Sequence, residues 1–590
     1  MLLADRLAAR RLALPRIAIT PFRVIVVGAF AGYLLVAAIL VLGFHIIVGD
    51  AWSRVGNAYY IVASRDPHLA AIGFVWGPFP SLLELPLLPF ARLWPDLASV
   101  GFAGSIVSAG CMALAVWQVW GAAGDWGVGQ GARVVLTAVF ALHPMIVDYG
   151  ANGMSEAFFL LTLIVAARYL ARWLRDGEHL GLVVAGVALA FGYLARYEAI
   201  PAAVGAALLV AVTTARRTSG PPRARLIAGA ADAVVLVVPP LTAFIGFAFA
   251  SLLIVGDPFQ QFTSVYGLSS QIAVAGADFQ ARTGQGTAAA YPYIAGQVVG
   301  LSPLVLILVP IALVAGGRRP NAAAWAVLAT LGAVVAWAVV GFLTGRTLGW
   351  LRYSIAVVPL DCLLVAALVG TRTGRLPAFV PAWTPRGRLA SMAEALRLEV
   401  ARIRWPGPPL TRVRPLVRPV ASVGFIGILV VTIPIGALTM LDERFNPSGG
   451  EGFLLRPIVH DGPYLETDSP LAQYLAGRDV ATYLDSLGLH DGQVLLDSSS
   501  GFPIILQSRD PRQFVITSDR DFQAAVQAPA AFGIRYLVVP DDVGYAKLDA
   551  LNRAYPGLYE TGAGIASLVR TFSENGAAWR IYDVGTQVAG

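Results

Sequence analysis

The sequence predicts a polytopic α-helical membrane protein of about 11 transmembrane helices, N-terminus in and C-terminus out, with a C-terminal extracytoplasmic α/β domain. Three observations carry this. Of 590 residues, 57% are hydrophobic and 13% are charged, whereas about 25% of a soluble protein is charged. The apolar residues gather into runs of about 20 residues, the length that crosses roughly 30 Å of hydrocarbon. Those runs end near residue 441, and beyond them short β-rich stretches alternate with helical patterns.

Residues 1–23 form a basic N-terminus, with Arg6, Arg10, Arg11, Arg16 and Arg23 against Asp5, and this places it in the cytoplasm. Apolar segments follow near 24–48, 98–120, 133–147, 156–173, 180–195, 200–213, 226–255, 293–315, 322–344, 353–370 and 420–441. The first is long and no small-residue cleavage site follows it, so it reads as an uncleaved helix. One further stretch, FPSLLELPLLPFARLW at 79–94, is ambiguous: it is short, contains Glu84 and is broken by Pro80, Pro86 and Pro89. Charge decides its status. If 79–94 spans, the basic connectors at 172–179, 213–225, 316–321 and 371–419 all lie opposite the N-terminus; if it re-enters or lies in the interface, all are cytoplasmic. The second arrangement obeys the positive-inside bias. It makes 49–97 one continuous outer loop within a membrane domain at 24–441.

The connector 371–419 holds ten arginines against Glu394 and Glu399, and an amphipathic helix is expected over 388–405, its arginines facing anionic lipid. The formal charge of +7 is concentrated in such connectors, so topology explains it and nucleic acid is not expected as a partner. Cys111 and Cys362 both fall inside expected helices, which supports neither a disulfide framework nor a zinc site. The tail, 442–590, reads as a separate unit. A helix runs from Ser469–Pro470 to about 487, strands are expected at 493–498, 513–518, 535–540 and 579–584, and helical patterns lie at 520–532 and 545–554. Its LLDSSSGFP at 495–503 lacks a nucleophile elbow and reads as a strand-end turn.

With this parity the polar residues that topology does not require converge on the outer face. Asp50 stands where the first helix leaves the bilayer; partial shielding would raise its pKa and suit it to general-base work, although a helix-end carboxylate reaching water has the same position. Arg346 and Arg352 break the inside bias, and guanidinium groups at the interface suit phosphate through paired, charge-assisted hydrogen bonds. Arg196 and His68 are further cations on this face, Arg196 also fitting a structural pair with Glu198. Arg54, Tyr59, Tyr60, Arg65, Trp76, Asn152, Glu156, Glu198 and Tyr353 complete the candidate substrate-binding set. For Glu156 the helix dipole, and for the aromatics an interfacial belt, are competing explanations.

The order of these features carries a resemblance. A basic N-terminus and a helix ending in an acid lead into a loop with WGPFPSLLELPLLPF; then come YGANGMSEAFFLLTLIVAARYLARW, LARYEAIP and LRYSIAVVPL. Over roughly 24–370 this resembles the GT-C superfamily of polyprenyl-phosphate-sugar-dependent glycosyltransferases, in the style of protein O-mannosyltransferases and aminoarabinose transferases. The resemblance implies an acceptor hydroxyl attacking the anomeric carbon of a lipid-phosphate sugar, with inversion, at the outer face of the cell membrane. Asp50 then takes the position of the catalytic base. Many relatives carry two adjacent acids there, whereas this chain has one in GDAW, so Asp66 stands as the alternative. Arg346 and Arg352 fall where relatives hold the donor phosphate. The implied partners are the polyprenyl-phosphate sugar, membrane lipid and an envelope glycan, lipid or protein acceptor. No cofactor is expected, and no divalent metal, since no outer cluster of three carboxylates is visible. The arginine- and alanine-rich composition, with Lys547 the single lysine, fits a GC-rich bacterium; an actinobacterial envelope would make mannose or arabinose the expected sugar. Two other classes fit the composition: a lipid or sugar transporter, which would favour broken helices and internal repeats, and a non-catalytic envelope scaffold on the same fold.

Overall fold

The computed structural model describes residues 20–314, 320–377, 414–447, 450–452, 454–455, 470–574 and 576–585. Arginines 6 to 16, residues 316–319 of one basic connector, the amphipathic helix expected over 388–405 and the N-cap at Ser469 lie outside them.

Eight helices among the described residues are long and apolar enough to cross a membrane, or up to ten if each of two bent pairs is one span. Every apolar segment read from the sequence has a helical counterpart, but three depart from a straight, full-length span. The segment at 180–195 is a 17-residue helix, His179–Ala195. The segment at 133–147 is Gln130–Leu142 followed by Pro144–Ala151 at 59°, and that at 293–315 is Ala290–Leu301 followed by Val305–Val314 at 83°. Both breaks precede a proline. His143 before Pro144 and Ser302 before Pro303 are extended, as the steric demand of a following proline ring favours.

The segment at 79–94 does not span. It is a six-residue helix, Phe79–Glu84, running into a 3-10 stretch, Leu85–Arg92, with Pro89 inside it. Six residues rise only about 9 Å, and proline rings deny the segment a regular ladder. Glu84 is buried here, and burial pushes its carboxyl well up, with Arg54 pulling the other way. A protonated Glu84 carries no charge into the apolar surroundings. Gly77 pins the entry to this segment: a Cβ there would run into the carbonyls of Leu194 and Ala195, so only glycine permits the approach.

The helices pack both on sequence neighbours and across intervening helices. Glu156–Asp176 lies against both Phe102–Asp125 and His179–Ala195, and Pro222–Val255 lies against His179–Ala195 and Ala199–Arg217. Their shared core is continuous and built largely from Ala, Leu and Val.

The tail folds around five strands: β1 (Val494–Leu495), β2 (Phe514–Val515), β3 (Tyr536–Pro540), β4 (Ser567–Glu574) and β5 (Ala577–Asp583), in the order β2-β1-β3-β5-β4. β1 pairs in parallel with β2 and β3, while β5 is antiparallel to β3 and β4. Side chains alternate between two cores, as a period of two requires. Val494, Phe514, Tyr536 and Val538 face one, and Leu495, Val515, Leu537 and Val539 the other. The first core also takes in Tyr60 and Ala71 from the first loop. Helix Ser498–Gln507 packs on Gly49–Ala63, its Phe502 edge-on to Trp52 with ring centroids 5.6 Å apart. The sheet domain is therefore seated directly on the loop at 49–97.

Candidate active site

The first loop begins as helix Gly49–Ala63, and its pattern sorts the residues. Trp52, Val55 and Ala58 are buried on one side. Asp50, Ser53, Asn57 and Tyr60, at helical spacing, face a cavity of about 2010 Å³ between the membrane helices and the sheet domain. Trp76, His68, Asp148, Tyr149, Asn152, Trp350, Arg352 and Glu451 also line it.

At the membrane end of this cavity Asp50 meets Arg352, Oδ2 to Nη1 at 2.8 Å. The Asp50 side chain is 56% open, but to the cavity. Burial in this enclosed space pushes the carboxyl up; Arg352 and Arg54 outweigh that and hold it below the usual carboxylate range. The sequence expectation of a raised pKa is thus reversed, because the cation expected to serve the donor lies against Asp50 itself. Besides Asp50, Arg352 has two placing contacts and one unmet donor. Its guanidinium lies 4.1 Å from the Trp350 ring centroid, its backbone N–H donates to Glu451 Oε1 at 3.0 Å, and its Nε is buried without a hydrogen-bond partner. Glu451 also receives Tyr149 Oη at 3.5 Å. Burial pushes the Glu451 carboxyl up while Arg352 opposes it.

A second charged group sits beside the first. Arg196 donates to Glu156 at 2.5 Å and Glu198 at 2.6 Å, and its guanidinium lies 5.7 Å from the Tyr353 ring, which in turn lies 5.8 Å from Arg352. Two carboxylates push the Arg196 guanidinium up despite its burial. Both its anionic partners are held, so Arg196 is a strut and contributes only its field to Asp50.

Residues 90–242 match the family model described as dolichyl-phosphate-mannose-protein mannosyltransferase. That match lies within the part of the chain where the sequence resembles the GT-C glycosyltransferases. The resemblance is borne out there. Among solved structures, ArnT from Cupriavidus metallidurans bound to undecaprenyl phosphate is 14% identical, with 96% of this chain and 98% of that one covered and a TM-score of 0.49. The Archaeoglobus fulgidus oligosaccharyltransferase in its apo form is 10% identical, with 88% and 70% covered and a TM-score of 0.37. No curated protein matches the chain.

Of the candidate site residues read from the sequence, the cavity gathers Asp50, Tyr60, His68, Trp76, Asn152 and Arg352. The others are elsewhere. Arg346 is exposed and does not line the cavity, because its backbone N–H closes the turn after Leu343 by donating to Gly341. Asp66 pairs with Arg520 at 3.4 Å, and Arg65 binds Asp519 at 3.3 Å and also Asp521; both therefore hold the loop to the sheet domain. His68 lies beside them, its Nδ1 2.6 Å from the Asp66 carbonyl oxygen. Arg54 is buried behind the helix and acts on Asp50 through its field; desolvation lowers its own pKa. Tyr59 packs into the apolar cluster around Trp52. Glu156 and Glu198 are taken up by Arg196, and Tyr353 lies between the two arginines.

The sequence reading missed Asp148, Tyr149, Trp350 and Glu451, and the cavity wall supplied by the sheet domain. Asp148 and Tyr149 carried a signal, an acid and a tyrosine just before the NGMSE helix start, but stood as connector residues. Glu451 lies in a glycine-rich stretch with no periodicity to mark it. Among the described residues no group of three or more His, Cys, Asp or Glu side chains is arranged to hold a metal ion.

Proposed function

We propose that this protein is an integral membrane glycosyltransferase that moves a sugar from a polyprenyl-phosphate donor to an acceptor hydroxyl, with inversion, in the cavity at 49–97. One observation carries the reading: a carboxylate and a guanidinium, Asp50 and Arg352, in contact at the membrane end of a large cavity. The family match over 90–242 supports it.

The proposed chemistry needs a cation for the departing phosphate and a base for the acceptor proton. Arg352 binds the donor phosphate through its guanidinium, and stabilising the leaving charge is the larger electrostatic contribution. That phosphate competes with Asp50 for the same cation. As the pair opens, Asp50 loses the partner that holds it acidic and becomes a stronger base at the moment the donor is in place. The acceptor oxygen then forms its bond to the anomeric carbon, the anomeric carbon–phosphate oxygen bond breaks, Asp50 takes the hydroxyl proton, and the lipid phosphate leaves on Arg352.

Asp50→Asn in nanodiscs, supplied with labelled polyprenyl-phosphate sugars, tests this. Loss of roughly 10²–10⁴ in transfer rate is expected for a removed general base. Unchanged transfer sinks the assignment, and no transfer by the wild type with any such donor favours the scaffold or transporter class.

A further inference from the structure

The cavity is larger than a donor headgroup needs, since small-molecule sites occupy roughly 300–1,000 Å³. Its upper wall comes from one place in the sheet domain. β1, β2 and β3 are parallel with β1 in the middle, so the chain moves from β1 to one side and then returns to the other. Open parallel sheets bind ligands outside the carboxyl ends of their strands at such a switch point. The segments leaving those ends supply the wall: Ser498 and Ser499 after β1, Asp519 and Gln523 after β2, Asp541 and Tyr545 after β3.

Two cations line that crevice, Arg520 and Arg553, but Arg520 pairs with Asp66 and Arg553 donates to the Leu548 carbonyl and Tyr266 Oη. Both are already engaged, and the strand ends themselves offer an anion no attraction. Each strand end carries a carboxylate: Asp497, Asp519 and Asp541. Asp497 sits at the N-terminus of helix Ser498–Gln507, where it accepts from Ser499 N–H, Thr517, Tyr266 and Ala550 N–H. The positive end of the helix dipole is therefore already met. Asp519 Oδ1 is buried without a hydrogen-bond partner. Gln523 is exposed, and Tyr545 is 47% exposed. Tyr545 lies in the turn Gly544–Leu548, which packs on helix Leu268–Thr283 and closes the cavity across from Asp50. Carboxylate and amide acceptors beside an open aromatic face suit a ligand that offers many hydroxyl donors and an apolar ring face.

We infer that the strand-end crevice of the sheet domain binds a neutral, polyhydroxylated glycan chain, the acceptor, and presents one of its hydroxyls to Asp50. The inference deepens the glycosyl-transfer reading but is tested without donor or turnover. Full-length protein in nanodiscs is titrated with neutral mannan- and arabinan-derived oligosaccharides, a phosphorylated oligosaccharide and a Ser/Thr-rich peptide, followed by saturation-transfer NMR. A neutral oligosaccharide is expected to bind, with affinity at least tenfold weaker in Asp541→Asn and in Tyr545→Ala. Binding of undecaprenyl phosphate by both variants establishes that they are folded. Failure of every neutral oligosaccharide to bind, equal binding by both variants, or preference for the phosphorylated probe or the peptide overturns the assignment. Because neither donor nor turnover enters the measurement, a failure of the Asp50 assignment leaves these outcomes unchanged and is separated from a failure of the crevice.

Discussion

At the scale of single residues the Asp50–Arg352 pair makes a prediction about pH. Arg352 holds the Asp50 carboxyl below its ordinary range, so the proposed base is expected to stay ionised into mild acid and the acid limb of kcat/KM to lie low. Removing the cation in Arg352→Gln leaves burial as the dominant influence and drives that pKa up, so the acid limb moves to higher pH while the rate falls. A pH–rate profile of the variant with an unmoved acid limb rejects the coupling. Arg196 makes a different prediction because it touches no cavity wall. Glu156→Ala removes one of two carboxylates from a buried guanidinium. Breaking a buried pair costs about 3–5 kcal/mol, and since Glu198 remains, the lower end of that range is expected. Thermal unfolding in detergent measures it, and an unchanged midpoint would show that the strut carries no load.

Among the elements, the segment at 79–92 is the one whose shape decides the topology of the first loop. Its six-residue helix and proline-bearing 3-10 turn are too short and irregular to cross a bilayer, so the chain is expected to return to the side it left. Leu69→Cys and Leu93→Cys are both exposed positions, and a membrane-impermeant thiol reagent is expected to label both from one side of sealed vesicles. Cys111 and Cys362 are buried and keep the background low. Labelling from opposite sides restores a span. Composition and charge made this element legible, because Pro80, Pro86, Pro89 and Glu84 are local signals. The strands β1, β2, β3 and β5 were legible for a related reason: each is a short apolar run bounded by turn residues. β4, SLVRTFSE, was not. It is an edge strand with most of its side chains exposed, so no apolar run marks it. Helix Ser498–Gln507 was hidden behind LLDSSSGFP, since its Asp497 cap and its packing on Gly49–Ala63 depend on tertiary contact. The candidate site was readable where a polar or aromatic residue stands out at a helix end or in the first loop, as at Asp50, His68 and Trp76. Which of Arg346 and Arg352 faces Asp50 depends on the turn geometry of 343–352, and no periodicity encodes that.

For the whole molecule, the cavity exists because the sheet domain is seated on the first loop. The seat combines Tyr60 in the domain core, Phe502 against Trp52, and the ion pairs of Arg65 and Asp66 with residues 519–521. Asp519 gives this seat a pH signature. Its side chain is fully buried, and burial pushes its carboxyl up to about 6, with Arg65 only partly compensating. The folded state therefore holds the proton more tightly than the unfolded chain does. This contribution to stability is complete below pH about 4, is lost as pH rises to about 6, and is constant above. The displacement from 3.8 to about 6 is worth at most about 3 kcal/mol. Asp519→Asn keeps an oxygen for the Ile516 N–H and removes the titration. The variant is expected to lose the fall in stability of the domain between pH 4 and 6, and to be at least as stable as the wild type above pH 6. Thermal unfolding of both proteins across that range in nanodiscs measures this. A pH slope that survives the substitution places its origin at another buried carboxyl, such as Asp549, which burial beside Asp497 also pushes up. In that case the seat between loop and domain is not the element that senses acid.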